Sequence, residues 1–572
     1  MREGDDPSIT CGYVGHSTSA GPNQMVHYRV VGSGPDIVLL HDSPRSSRLH
    51  LPLMKMLASR FRVHALDTPG YGNSDPLDIE LPMIPDFAGA LGETLDALGL
   101  SGAPIYATHT SAKIALALAV RGGRMPMLLL DGLAIPDQPA DDGFIKAYMR
   151  PFAPEPTGGW LAAEWSRTRD MLRWFPWFSS APAQRIAAAT PSIEWLEDYG
   201  IDLFSAGPHY ADAYSAAMRW NPLQDLLSVR IPTVIGARED DVLYSHLARV
   251  PRDQNPALSI QRLGPDRQIW VEWIADTLAG AATCSETSIG ARHLSGDSRG
   301  YVSLSHGQLH WTRYTSPSTV GQRPLLMLSA PSTLEAHQWA RAFTPIRPVI
   351  VPDLPGFGDS AALRRDRATA DAIVDSLQAL LAQFEIESCD VMAIGLAAPI
   401  GARMAARAPA SVAALAIFGS AKPGEDDDAL VPEIAFDPIA GSHLHRFWHM
   451  LRDSCVQWPW HNAGPEAARA GLIADAADLY RALTGMLKQR IDYGQAVVAA
   501  ISANQPADWQ SVRSPVLVAV GDDPSMASSN ALLALLPNAT AFSVPRDHAI
   551  AAVMLDQALA AVGGHSQRKA TS

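Results

Sequence analysis

The sequence predicts an α/β protein built from two tandem modules, each a mostly parallel sheet flanked by helices and carrying a helical lid. Three observations predict it. Short apolar runs alternate with helical patterns, the chain repeats itself at an offset of about 285 residues, and a polar stretch without sustained apolar period lies near its middle.

The elements follow in order. In the first half the runs Ile37 to Leu40, Val63 to Leu66, Met127 to Leu130 and Thr233 to Ile235 are short and apolar throughout, as strands buried on both faces require. Ala112 to Arg121 carries a helical pattern between them. Short buried strands alternating with helices give a parallel sheet covered on both sides. Ligands of such sheets sit at the carboxyl ends of the strands, so candidate site residues should follow strands directly. Aromatic-rich insertions at about 136–222 and about 423–508 are expected to form the lids, since ten of the fourteen tryptophans fall in or beside them. The Gly-, Ser-, Thr- and Ala-rich segment 283–300 reads as a linker, which leaves 1–282 and 301–565 as the modules and 566–572 as a tail.

The repeat covers whole modules. Asp67 matches Asp353 at an offset of 286, Thr110 matches Ala397 at 287, and Gly236 matches Gly521 at 285. Trp165, Arg169, Asp170, Pro176 and Trp177 match Trp448, Arg452, Asp453, Pro459 and Trp460, all at 283. A unit of this size is far too long for a solenoid repeat and reads as duplication of a domain. Duplication of an ancestral dimer would pack the modules as a pseudo-twofold pair, and the sequence leaves the oligomeric state open.

Composition narrows the function classes. With 47% apolar and 18% charged residues the chain is globular, and 45 basic against 59 acidic residues give a net charge of −14. Nucleic acid is therefore not an expected partner, because phosphate binding needs concentrated Lys and Arg. Cys11, Cys284, Cys389 and Cys455 are scattered, with no disulfide or zinc spacing, which points to a reducing cytoplasm and to no metal site. No basic start leads into an apolar run, and no long uncharged apolar segment occurs, so neither export nor a membrane span is expected.

The motif LLHDSP followed by DTPGYGNSD, echoed by LMLSAP and DLPGFGDS, resembles the α/β-hydrolase superfamily over nearly all of Tyr28 to Leu278 and Tyr301 to Val562. The resemblance implies a nucleophile on a sharp strand-to-helix turn, a late histidine, an acid after the preceding strand and an oxyanion hole of backbone amides. The turns read ATHTSAK and AIGLAAP, which places Thr110 and Ala397 at the nucleophile position. Thr110 offers a hydroxyl and Ala397 offers nothing. His109 reads as a filler residue packing beside the strand. The late histidine is His548 in the second module, with Gln268 at the matching place in the first. The acids are Glu239, Asp240 or Asp241 in the first module and Asp522 or Asp523 in the second, one of the latter orienting His548. The resemblance gives oxyanion amides at Ser111 with Asp42 or Ser43, and at Ala398 with Ala330. Trp177 and Trp460, after matched prolines, are the expected substrate contacts. His443, His445 and His449 read as exposed lid histidines, not ligands.

Neither module keeps a complete Ser-His-acid triad. The expected function is an enzyme of this superfamily acting on a small hydrophobic ester or carbonyl compound through a His548 dyad in the second module, with no cofactor required. Two alternatives are lyase or cofactor-free dioxygenase chemistry on an enolisable substrate, and a ligand-binding pseudoenzyme.

Overall fold

The computed structural model describes residues 8–16, 24–186, 191–282, 298–424, 428–469 and 471–564. The first sheet holds β1 (Thr10–His16), β2 (Gln24–Val31), β3 (Asp36–Leu40), β4 (Arg62–Leu66), β5 (Ile105–Thr108), β6 (Leu128–Asp131), β7 (Thr233–Arg238) and β8 (Leu258–Leu263), in the order β1-β2-β4-β3-β5-β6-β7-β8. The second holds β9 (Ser298–Leu304), β10 (Gly307–Tyr314), β11 (Leu325–Ala330), β12 (Val349–Pro352), β13 (Cys389–Gly395), β14 (Val412–Phe418), β15 (Val516–Val520) and β16 (Ala539–Ser543), in the order β9-β10-β12-β11-β13-β14-β15-β16. The orders are the same. In each, the second strand runs antiparallel to both of its neighbours, and all the other pairings are parallel.

The parallel strands are buried because helices cover both faces. In the second sheet Leu326, Leu328, Val391, Ala393, Leu415 and Ile417 pack one way, against Leu377 and Ile400. Their neighbours Leu325, Met327, Met392, Ile394, Ala414 and Ala416 pack the other way, against Phe343 and Leu555. This is the period of two that a strand imposes. Each such leucine or isoleucine contributes about 1.5–3 kcal/mol on burial, so a polar substitution here destabilises the sheet by at least that much.

Chain contacts divide the protein into unit 1, Met1–Ala153 with Ala162–His293, and unit 2, Pro154–Leu161 with Leu294–Ser572. Segment 283–297 lies outside the described residues, as does 566–572; β9 begins at Ser298, so the end of the stretch read as linker is strand. Helices Asp142–Tyr148, Trp160–Met171, Ile193–Ala206 and Asp212–Arg219 fill the first lid region, and Ser442–Ser454, Ala476–Lys488 and Gln495–Ser502 the second. His443 is buried against Phe436, not exposed, because it lies on the inner face of its helix. No helix of the described residues is long and apolar enough to cross a membrane.

The repeated Asp-x-Pro-Gly-x-Gly motif is a buried scaffold. Asp67 pairs with His27 Nδ1 at 2.8 Å and accepts the amides of Ser47 at 2.6 Å and Asn73 at 3.0 Å. Gly72 has φ +56, and a Cβ there would lie 2.3 Å from Asp67 Oδ2, so glycine is needed on both counts. Unit 2 repeats the device: His310 Nδ1 meets Asp353 at 2.9 Å, beneath Gly358 at φ +59.

Candidate active site

In unit 1 the chain leaves β5 and enters the helix His109–Val120 through His109, whose φ is +45. Left-handed backbone is costly for a residue with a Cβ and is held only where the surroundings impose it. The sharp turn is therefore at His109, one residue before Thr110, which lies buried in the first helical turn. Unit 2 turns at Gly395, φ +55, and Ala397 is the N-cap of the helix Ala398–Arg407. The corrected match is His109 with Gly395. Small residues two positions to either side, Ala107 and Ser111 in one unit and Ala393 and Ala397 in the other, are the sequence signal that centres the turn there.

His109 reaches across the strand ends to the loop after β7. Its Nε2 meets Asp241 Oδ2 at 2.9 Å, while Asp241 Oδ1 accepts the amide of Leu243 at 2.7 Å. Burial disfavours charge on the ring, but the charge and hydrogen bond of Asp241, with Asp42 and Asp131 behind it, outweigh this and raise its pKa to about 9. Asp241 is itself held below the ordinary carboxylate range: burial opposes this, and the His109 charge and hydrogen bond override it. Nδ1 of His109 makes no hydrogen bond among the described residues, and the side chain is 31% exposed. The ring lies over Gly132, φ +68, where a Cβ would stand 2.6 Å from Nε2. Gly132→Ala is expected to push the ring off Asp241 and to lower activity at least tenfold with the fold retained, as comparing turnover and circular dichroism of the two proteins will reveal.

The loop after β3 is pinned beside this turn. Ser111 Oγ donates to the His41 carbonyl, His41 Nδ1 donates to the Asp42 carbonyl at 2.8 Å, and His41 Nε2 accepts the Thr68 amide at 2.9 Å. Those partners fix the tautomer of His41. Asp42 and Ser43 thus stand where an oxyanion loop belongs, but the residue following the turn is Thr110, and Ser111 serves as the loop's anchor. In unit 2 the residue following the turn is Leu396, not Ala398; Ala330 packs with Leu396, Ala421 and Trp458 in an apolar cluster.

The His548 dyad does not form. His548 opens the helix His548–Val562 and stacks on Trp339 with ring centroids 4.5 Å apart. Burial lowers its pKa, against the opposing charges of Glu335 and Asp547. Asp523 is taken by Ser525, at 2.9 Å from its amide and 2.6 Å from its hydroxyl, and by Arg469 at 3.2 Å. Asp522 is exposed and reaches no histidine among the described residues. Helix capping gives the reason: Asp547 and Asp266 cap equivalent helices, which aligns His548 with Arg267, while Gln268 points to Glu272 at 2.9 Å. The Trp177 indole is bonded to the Tyr148 carbonyl at 2.8 Å and that of Trp460 to the Leu430 carbonyl at 3.2 Å, so both brace their lids. Among the described residues His310, Asp353 and Asp359 have metal-like spacing. Lys488 already sits 3.0 Å from Asp359 and supplies the balancing charge.

Residues 37–281 match an alpha/beta hydrolase family, and residues 332–540 match the alpha/beta hydrolase fold. The chain belongs to the α/β-hydrolase superfamily, with two such domains in tandem. Curated superfamily relatives include a pimeloyl-[acyl-carrier protein] methyl ester esterase of Stenotrophomonas maltophilia, 32% identical over 91 residues, which are 16% of this chain and 35% of that protein. The same enzyme of Shewanella woodyi is 41% identical over 59 residues, 10% of this chain and 23% of that protein. The chain thus spans about a third or less of the length of these relatives. Among solved structures, a thermophilic esterase from Thermogutta terrifontis is 19% identical, covering 47% of this chain and 99% of its own, with TM-score 0.37. A haloalkane dehalogenase from Bradyrhizobium elkani is 18% identical, covering 48% and 97%, with TM-score 0.35.

Proposed function

We propose that this protein hydrolyses a small hydrophobic ester in unit 1, with the His109–Asp241 pair as its catalytic group. One observation carries the reading: the residue held at φ +45 on the strand-to-helix turn is a histidine whose Nε2 is bonded to an acid of the loop after β7. Relatives named as methyl ester esterases support an ester as substrate. The scattered cysteines support a cytoplasmic setting.

In this mechanism neutral His109 takes a proton from water through Nδ1 as the water oxygen bonds to the ester carbonyl carbon. Asp241 stabilises the resulting imidazolium. The tetrahedral intermediate then expels the alcohol, which receives the proton back from Nδ1, and the acid is released. In this reading the amide of Thr110 and the Asp42–Ser43 loop receive the oxyanion. Unit 2 has glycine on its turn with an apolar cluster beside it, no base or hydroxyl standing at that position among the described residues, and reads as a non-catalytic domain.

The pH profile tests the mechanism. With the ring pKa raised to about 9, only the minor neutral fraction works at neutral pH. The kcat/KM is expected to climb about tenfold per pH unit and to level near pH 9. Asp241→Asn removes the group that raises the pKa and should move the plateau toward the ordinary histidine range, near 6.5. A profile that is flat across this range, or is identical in the variant, removes His109 as the base.

A further inference from the structure

Three side chains that follow β3 reach one lid helix of unit 1. Arg45 Nε donates to Asp202 Oδ2 at 2.7 Å and its Nη2 to Asp198 Oδ2 at 2.5 Å. Ser46 Oγ donates to Asp202 Oδ1 at 2.6 Å, and Arg48 Nη2 donates to Asp198 Oδ1 at 2.5 Å. The two acids stand one turn apart on the helix Ile193–Ala206, so they face the loop together. The Arg45 guanidinium also lies over the Trp195 ring of that helix, 4.9 Å from its centroid. The Arg45 and Asp202 side chains are 2% and 0% exposed, which leaves their pairing little screened by salt.

The loop so held is the one that carries Asp42 and Ser43. Two of its anchors come from the sheet side: Ser111 Oγ donates to the His41 carbonyl, and the Ser47 amide donates to Asp67 at 2.6 Å. Between those points the chain is held from the lid, through Arg45 and Ser46. Unit 2 shows that the fold does not require this tie. Pro44 and Pro331 match at an offset of 287, which sets Ser332 and Glu335 in the places of Arg45 and Arg48. The lid helices match from their caps, Ser192 and Asp475, which sets Arg481 and Gly485 in the places of Asp198 and Asp202. There Glu335 pairs with Arg469 at 3.1 Å and Arg481 with Asp478 at 3.3 Å. Among the described residues, the four-charge tie accompanies the turn that carries histidine and is missing beside the turn that carries glycine.

Oxyanion donors act only where the charge develops, and a displacement of about 1 Å costs about 10²-fold in rate. We propose that Arg45 is a positioning residue of unit 1: through its bonds to Asp198 and Asp202, the lid helix sets the loop that receives the oxyanion. The assignment rests on reading the His109 site as the one that hydrolyses esters.

Arg45→Met removes the charge and keeps an apolar stem, while Arg48 stays at 2.5 Å from Asp198 and 3.6 Å from Asp202, so neither acid is stranded. With butyl acetate as substrate, kcat should fall about tenfold to hundredfold with KM nearly unchanged. The loss should be the same at every pH, so the profile keeps its plateau near pH 9. Arg45→Lys retains a charge without the fork and should recover part of the rate. Asp202→Asn should cost as much as Arg45→Met, and the double variant no more than either, since both break one contact. Calorimetric titration supplies a readout that loss of stability alone would not move. Butyl methylphosphonate, whose anionic tetrahedral phosphorus resembles the intermediate, should bind Arg45→Met about tenfold more weakly, while heptan-2-one, planar at its carbonyl like the ester, keeps its affinity. A raised KM with kcat unchanged, additive losses in the double variant, or equal weakening of the two ligands overturns the proposal. Should Arg45→Met fail to fold by circular dichroism, Arg45→Lys and Asp202→Asn carry the same comparisons. Turnover that depends on His109 and not on Arg45 removes this role and keeps the hydrolase reading. Turnover that is absent, or that survives His109→Ala, removes both.

Discussion

His109→Ala is expected to lower kcat on a small ester by about 10²–10⁴-fold, the range a positioned general base contributes, with little change in KM. The loss follows from geometry. His109 is the histidine that Asp241 reaches, at 2.9 Å, and Gln268 and Arg267, both exposed, offer no second base in the late loop. The same reasoning fixes the outcome of His109→Ser. That variant puts a hydroxyl on the turn of a hydrolase fold, yet it should stay inactive, because a serine there has no histidine to accept its proton. Steady-state kinetics of both variants, with circular dichroism as the check on folding, decide the matter. Full activity in His109→Ala would sink the mechanism, and activity in His109→Ser would mean that another residue serves as base.

Asp67→Ala should destabilise unit 1 by about 3–5 kcal/mol, the cost of breaking a buried ion pair by removing one partner. The carboxylate is 1% exposed and its His27 partner is fully buried, and the loss also strands the Ser47 and Asn73 amides. Burial opposes the charge on both partners, and their mutual attraction overrides it, raising His27 and lowering Asp67. The stability held by a lowered acid is present above the ordinary aspartate range and is lost as pH falls through its folded pKa. That held by a raised histidine is present below the ordinary histidine range and is lost as pH rises through its folded pKa. The pair therefore stabilises most between those limits, and Asp67→Ala should flatten this part of the pH dependence. Calorimetric unfolding of wild type and variant across that window is the measurement. A change under about 1 kcal/mol would show that the pair is dispensable.

The fold was legible because its signals are local. Continuous apolar runs mark buried parallel strands, and the Asp-x-Pro-Gly-x-Gly turn needs its glycines wherever it occurs, so both sheets and the duplication could be read from residue order. The site was less so. Thr110 drew attention by its hydroxyl, whereas the turn is set by backbone dihedrals whose trace in the sequence is only the small residues flanking His109. The partnership of His109 with Asp241 spans 132 residues and exists only once β5 and β7 lie in one sheet. His548 looked like a survivor of a triad because histidine is the usual residue near that helix start. Its neighbour Asp547 is occupied in capping the helix, at 2.9 and 3.0 Å from two amides, and of the acids after β15 Asp523 is held by Ser525 and Arg469 while Asp522 is exposed.

The two turns, equivalent in fold, also differ in what they store. A histidine kept in left-handed backbone holds roughly 1–3 kcal/mol of strain that glycine at the same place escapes. His109 bears that burden and Gly395 does not. The Asp241 hydrogen bond at 2.9 Å is the contact set against that strain, so the turn of unit 1 stays under a tension from which the turn of unit 2 is free.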